Sequence, residues 1–168
     1  MTAGKKVIKE NQEHRVVAIV HSEKEITIAI YGDIKGKGRP RFNRRTGHAY
    51  TPETTRTLEN LIFSTVREAY DFPPSSGPVV MDIQIEQKRP KSKDAFKEFP
   101  KRIDIDNVSK LIMDSLNELL YVDDGQVLEL SVKKAWTNSL HNSSRVCVTI
   151  KLDRQTNPLE NSEHSLPW

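Results

Sequence analysis

The chain predicts a single-domain α+β fold, a mixed sheet of about four to five strands packed by two helices. Three observations carry that expectation. Apolar residues alternate with polar ones in several short runs, two longer stretches carry apolar residues at helical spacing, and the elements follow in the order β-α-β-α-β-β with no internal repeat. A chain of 168 residues is long enough to bury one core without staples.

Taken in order, residues 1–24 read as an N-terminal extension with a short strand at Val16 to Val20. Ile26, Ile28 and Ile30 alternate with Thr27 and Ala29 as a half-buried strand, where the main domain, 25–153, begins. The loop K-G-K-G-R-P-R-F-N-R-R-T-G-H comes next, its glycines and proline breaking regular structure. Thr51 as N-cap and Pro52 as first helical residue open a helix to about Tyr70, with Leu58, Leu61, Ile62, Val66 and Ala69 on one face. Phe72 to Pro78 make a turn, and Val79, Met81, Ile83 and Ile85 mark the next strand.

A long basic loop, Lys88 to Arg102, leads to a second helix expected over Val108 to Leu120, capped by Asp106 or Asn107. Leu128, Leu130 and Val132 alternate on a third strand, and Val146, Val148, Ile150 and Leu152 on a fourth. Residues 154–168 lack any period and are expected to be a disordered tail. The one cysteine, Cys147, excludes a disulfide framework and a cysteine-based zinc site. No apolar run approaches the ~20 residues that cross a bilayer, so a cytoplasmic protein is expected.

Function is concentrated between Ile103 and Gln126. Asp104 and Asp106 lie two apart at what reads as a strand end, so they share a side. The helix is expected to return the chain so that Asp123 or Asp124 closes on the same point, with Lys110 nearby. Converging carboxylates repel unless a hard cation holds them, which points to Mg²⁺, with Mn²⁺ as a substitute. A bare D-x-D-N also suits a turn with a helix cap, and Asp123-Asp124-Gly125 a turn before a strand. Asp114, four residues beyond Lys110, suits a surface pair or a contact supporting the site.

The net charge is only +3, but Lys35, Lys37, Arg39, Arg41, Arg44 and Arg45 crowd one segment. Lys88, Arg89, Lys91, Lys93, Lys97, Lys101 and Arg102 crowd another, beside the acidic motif. An acidic pocket between basic flanks suits a nucleic acid gripped by its phosphates while a metal acts on one of them.

Four pieces, in order, extend the reading: G-R-P-R at 38–41, Y-T-P-E-T-T at 50–55, D-I-D-N-V-S-K at 104–110 and D-S-L-N-E-L-L-Y-V-D-D-G-Q-V at 114–127. In these the chain resembles the RusA-like Holliday junction resolvases, over roughly residues 26 to 152. The resemblance implies a homodimer that binds a four-way DNA junction and nicks two opposed strands with Mg²⁺ or Mn²⁺. It makes Asp104, Asp106 and Asp124 the metal carboxylates and Lys110 the lysine near the scissile phosphate. Lys37, Arg39, Arg41, Arg44, Arg45, Lys101 and Arg102 are then the expected DNA-binding residues. The N-terminal extension and the long basic loop depart from the shorter members of that family. Two other classes fit parts of the pattern: a non-catalytic branched-DNA-binding protein, and a D-x-D transferase holding a metal–nucleotide sugar. The latter wants a Gly-rich phosphate loop, which Gly36-Lys37-Gly38 does not make.

Overall fold

The computed structural model describes residues 4–34, 41–42, 45–47, 49–50, 52–91, 98–100, 103–138 and 143–153. The elements are β1 (Lys5–Glu10), β2 (Arg15–Ser22), β3 (Glu25–Tyr31), β4 (Arg41–Phe42), β5 (Ala49–Tyr50), α1 (Glu53–Ala69), β6 (Val79–Gln87), α2 (Ile105–Leu116), β7 (Val127–Trp136) and β8 (Arg145–Leu152). Six strands form one mixed sheet in the order β1-β2-β3-β8-β6-β7, and β4 and β5 make a separate two-stranded ribbon. The fold is the expected α+β domain with two helices, and its sheet is slightly larger than four to five strands.

Alternation explains the core. Ile26, Ile28 and Ile30 of β3, Met81, Ile83 and Ile85 of β6, and Val146, Val148 and Ile150 of β8 are buried on the face that carries the helices. Their neighbours Thr27, Ala29, Gln84, Cys147 and Thr149 occupy the other face, half-buried. There Arg145 grips Glu86 with both ends of its guanidinium, at 2.6 and 2.9 Å, tying β8 to β6. That bond raises the Arg145 pKa further. All neighbouring strands are antiparallel except β6 and β7, whose parallel pairing requires a crossover, supplied by α2.

β1 and β2 come from the stretch read as an extension, and they pair with each other and with β3 inside the main sheet. The expected strand at Val16 to Val20 is present and longer. α1 lies against β1 and β2, joined at its edge by Lys5–Asp71 and Lys9–Glu68 ion pairs. Pro52 is the N-cap of α1 and not its first residue, with an extended ψ of 141°. At the far end the Tyr70 hydroxyl donates to the Glu23 carbonyl at 3.0 Å.

The second helix departs from its expected span of Val108 to Leu120. It starts three residues earlier because Asp104 caps it, and it stops at Leu116. After it, Asn117 (φ −60°, ψ 143°) and Glu118 (φ 60°) form a type II turn closed by the Leu119 amide on the Leu116 carbonyl. Glu118 is the one non-glycine residue in the left-handed region among the described residues. Glycine avoids the Cβ clash there, against a smaller loss of chain entropy. Glu118→Gly is therefore expected to stabilise the fold by about 0.5–1 kcal/mol, read as a higher urea midpoint at unchanged slope.

Candidate active site

Both ends of α2 carry acidic groups, each held by a distinct local device. At the start, Asp104 Oδ1 accepts the Asp106 amide at 3.2 Å and Asp104 Oδ2 accepts the Asn107 side-chain amide at 3.3 Å. The helix cap that D-x-D-N permits is thus realised. Asp104 and Asp106 are not on a strand, as the sequence suggests, but before and inside the first helical turn. Asp106 and Lys110, one turn apart, are exposed on the solvent side of α2, with Asp114 a further turn along and half-buried. Among the described residues the Asp106 carboxylate and Lys110 ammonium have no side-chain partner.

At the other end, Asp123 caps a single 3-10 turn, Asp124–Gln126. Its Oδ1 accepts the Gly125 amide at 2.7 Å, so its carboxylate is spent on the turn. Asp124 is exposed and free of side-chain partners among the described residues. Gln126 fastens the turn: its Oε1 accepts the Asp123 amide at 2.9 Å, and its Nε2 donates to the Ser75 and Gly77 carbonyls at 2.8 and 2.7 Å. Behind it lies Tyr121, fully buried, its hydroxyl donating to the Met113 carbonyl at 2.8 Å. Burial, and then the charges of Asp124 and Asp114, push that phenol's pKa well up. Asp114 therefore belongs to the Asp124 end.

The three expected carboxylates do not converge within one chain. Ser75 and Gly77 precede β6, so Gln126 places Asp124 beside the first residues of β6 and β7. The Lys134 ammonium, near the far end of β7, donates to the Ile103 carbonyl at 2.8 Å, placing Asp104 there. Between them runs α2, 12 residues and roughly 18 Å long. No group of three acidic, His or Cys residues able to hold a metal occurs among the described residues. The helix carries the chain away from Asp104 and Asp106, and no later segment before β7 brings it back.

The donors themselves suit a hard divalent cation. All are carboxylates, Asp106 and Asp124 are accessible and unengaged, and each Asp104 oxygen has a lone pair beyond its capping bond.

Of the expected DNA-binding residues, Lys37, Arg39, Arg44, Lys101 and Arg102 lie outside the described residues, as does the 154–168 tail. The Arg41 backbone pairs with Tyr50 in the β4–β5 ribbon, and Arg45 is exposed in the turn between those strands. Two features carried no role in the sequence. Gln126 sits in the D-D-G-Q motif, but only the fold shows its three bonds. Arg89, at the start of the basic loop just beyond β6, stacks over Trp136, the last residue of β7, with 5.4 Å to the ring centroid. No described helix is long and apolar enough to cross a membrane.

Residues 32–151 match the protein family described as endodeoxyribonuclease RusA. The match begins after β3 and takes in both ends of α2. The chain is also 29% identical over 125 residues to the uncharacterized protein YqaN of Bacillus subtilis strain 168, across 67% of this chain and 88% of that one.

Proposed function

Because the chain belongs to the endodeoxyribonuclease RusA family, we propose that it is a cytoplasmic, divalent-metal-dependent endonuclease that resolves four-way DNA junctions by paired nicks. The observation that carries this reading is the placement of Asp104, Asp106 and Lys110 at one end of α2 and Asp124 at the other. Each chain then presents two half-sites and no whole one. A two-fold axis passing beside the middle of α2, perpendicular to it, sets a second copy of the helix antiparallel to the first, so Asp124 of the second copy meets Asp104 and Asp106 of the first. Two whole sites result, one for each strand to be cut.

In each site the three carboxylates hold Mg²⁺ or Mn²⁺, which supplies a water of lowered pKa and a Lewis acid for the phosphate. Asp104 is kept in place by its helix-capping bonds, and Asp124 by the turn that Gln126 fastens. Lys110, one turn inside the site, stabilises charge building on the phosphoryl oxygens and offsets repulsion among the carboxylates. Lys37, Arg39, Arg41, Arg44, Arg45, Lys101 and Arg102 grip phosphates away from the cut, setting affinity and salt dependence.

The test is a labelled synthetic four-way junction beside a linear duplex of matching sequence, with Mg²⁺, Mn²⁺ or EDTA. Symmetric nicks in the junction alone, abolished by EDTA and by Asp106→Asn, are expected. Saturable junction binding without any cut in either metal would make the protein a non-catalytic binder.

A further inference from the structure

β7 breaks its own pattern at one residue. Register with β6 sets Leu130, Val132, Lys134 and Trp136 opposite Met81, Ile83, Ile85 and Gln87, so they share the face that carries the helices. Lys134 is a half-buried cation in the middle of an otherwise apolar row. Its neighbour Lys133 is on the other face and exposed, as a surface lysine ordinarily is. The position is also unfavourable for a positive charge. The Lys134 ammonium bonds the Ile103 carbonyl, just before the Asp104 cap of α2, and a helix N-terminus carries partial positive charge that favours anions. Among the described residues no carboxylate lies in ion-pair contact with Lys134 to offset this. A cation set against both packing and dipole points to a role other than stability.

We infer that Lys134 is a positioning residue for Asp104, holding that carboxylate where the divalent metal binds. This rests on the proposed metal-dependent reading and adds to it a residue from the sheet. The acceptor decides what the bond fixes. The Ile103 carbonyl belongs to the planar peptide unit that also contains the Asp104 nitrogen and Cα. Lys134 pins that plane at 2.8 Å, while the Ile103 side chain, 4% exposed, anchors the residue before it in the core. From the other side, the Asp106 amide and the Asn107 side chain hold Asp104 Oδ1 and Oδ2. Asp104 is thus fixed at its backbone by the sheet and at its carboxylate by the helix, with a lone pair of each oxygen left for a cation. Positioning and plain charge predict opposite signs. A lysine that only added charge beside the site would repel the metal, so removing it would tighten binding. A lysine that sets Asp104 weakens binding when it is lost.

The test is Mn²⁺ binding to the full chain, read from the electron paramagnetic resonance of the free ion, with urea unfolding alongside. Lys134→Met keeps the aliphatic stem and removes the donor, and is expected to raise the Mn²⁺ dissociation constant about tenfold. Lys134→Arg keeps a cationic donor and is expected to bind more like wild type than like Lys134→Met. In an Asp104→Asn background, Lys134→Met is expected to change affinity by less than about twofold, because the carboxylate it positions is gone. Lys134→Gln, uncharged and one bond shorter, carries the same expectation as Lys134→Met and is read in its place if urea shows that variant to be unfolded. Unchanged or tighter Mn²⁺ binding by a folded variant overturns the inference, and so does an undiminished effect in the Asp104→Asn background. Those outcomes leave the metal-dependent reading standing. Wild-type protein that binds no Mn²⁺ at millimolar concentration overturns that reading, and the role of Lys134 with it.

Discussion

Mixing Asp106→Asn protein with Asp124→Asn protein is expected to restore junction nicking that neither possesses alone. Each substitution removes one of the proposed metal carboxylates while keeping size and shape, and a loss of about 10³-fold is expected from each. Both residues are exposed and without side-chain partners among the described residues, so stability should change by less than about 1 kcal/mol. In a mixed dimer one site receives both substitutions. The other receives intact Asp104 and Asp106 from one chain and intact Asp124 from the other. Random exchange in an equal mixture makes half the molecules mixed, each with one working site, so about a quarter of wild-type nicking should return. The products should be single nicks and not paired ones. If mixed dimers form and no nicking returns, Asp124 does not act across the two copies.

Gln126→Ala should have the second-largest effect. One side chain supplies three hydrogen bonds, to the Ser75 and Gly77 carbonyls and from the Asp123 amide. At about 1 kcal/mol net for each, their loss is expected to cost about 3 kcal/mol, the backbone groups left behind recovering some of it in water. Urea unfolding measures that directly. The same variant frees the turn carrying Asp124, so nicking should require a higher Mg²⁺ concentration for half its maximal rate. Gln126→Glu keeps only the acceptor toward Asp123 and should show both effects. A destabilised variant with an unchanged Mg²⁺ requirement would show that Gln126 supports the sheet without positioning Asp124.

The strands built on isoleucine and valine were legible because burial on one face writes an alternation that polar neighbours sharpen. β1 was not: K-K-V-I-K-E holds two adjacent apolar residues among lysines, since an edge strand needs little burial and benefits from charge. The limits of α2 were misplaced at both ends for local reasons. Asp104, not Asp106 or Asn107, took the cap, and Glu118 ended the helix in a backbone region where glycine would have announced the turn. For the site, residue types and spacing pointed to carboxylates and a lysine, and resemblance assigned roles to them. Convergence could not be read from spacing, because a helix carries its chain in one direction and only a further reversing segment can bring it back. Here the chain goes directly into β7 at the far end, and the acidic groups stay a helix length apart.

That helix length is also a measuring rod. With two antiparallel copies of α2 side by side, as proposed, the whole sites would sit at opposite ends of the pair, separated by a distance that the number of residues in the helix sets at about 1.5 Å each. In the proposed dimer, rigid hydrogen-bonded backbone and not a flexible loop would fix how far apart the two cuts fall on the DNA. Lengthening α2 by one turn would move the proposed cuts roughly 5 Å farther apart without touching a carboxylate, and the paired incisions would lose step with the exchanging strands they are meant to sever together.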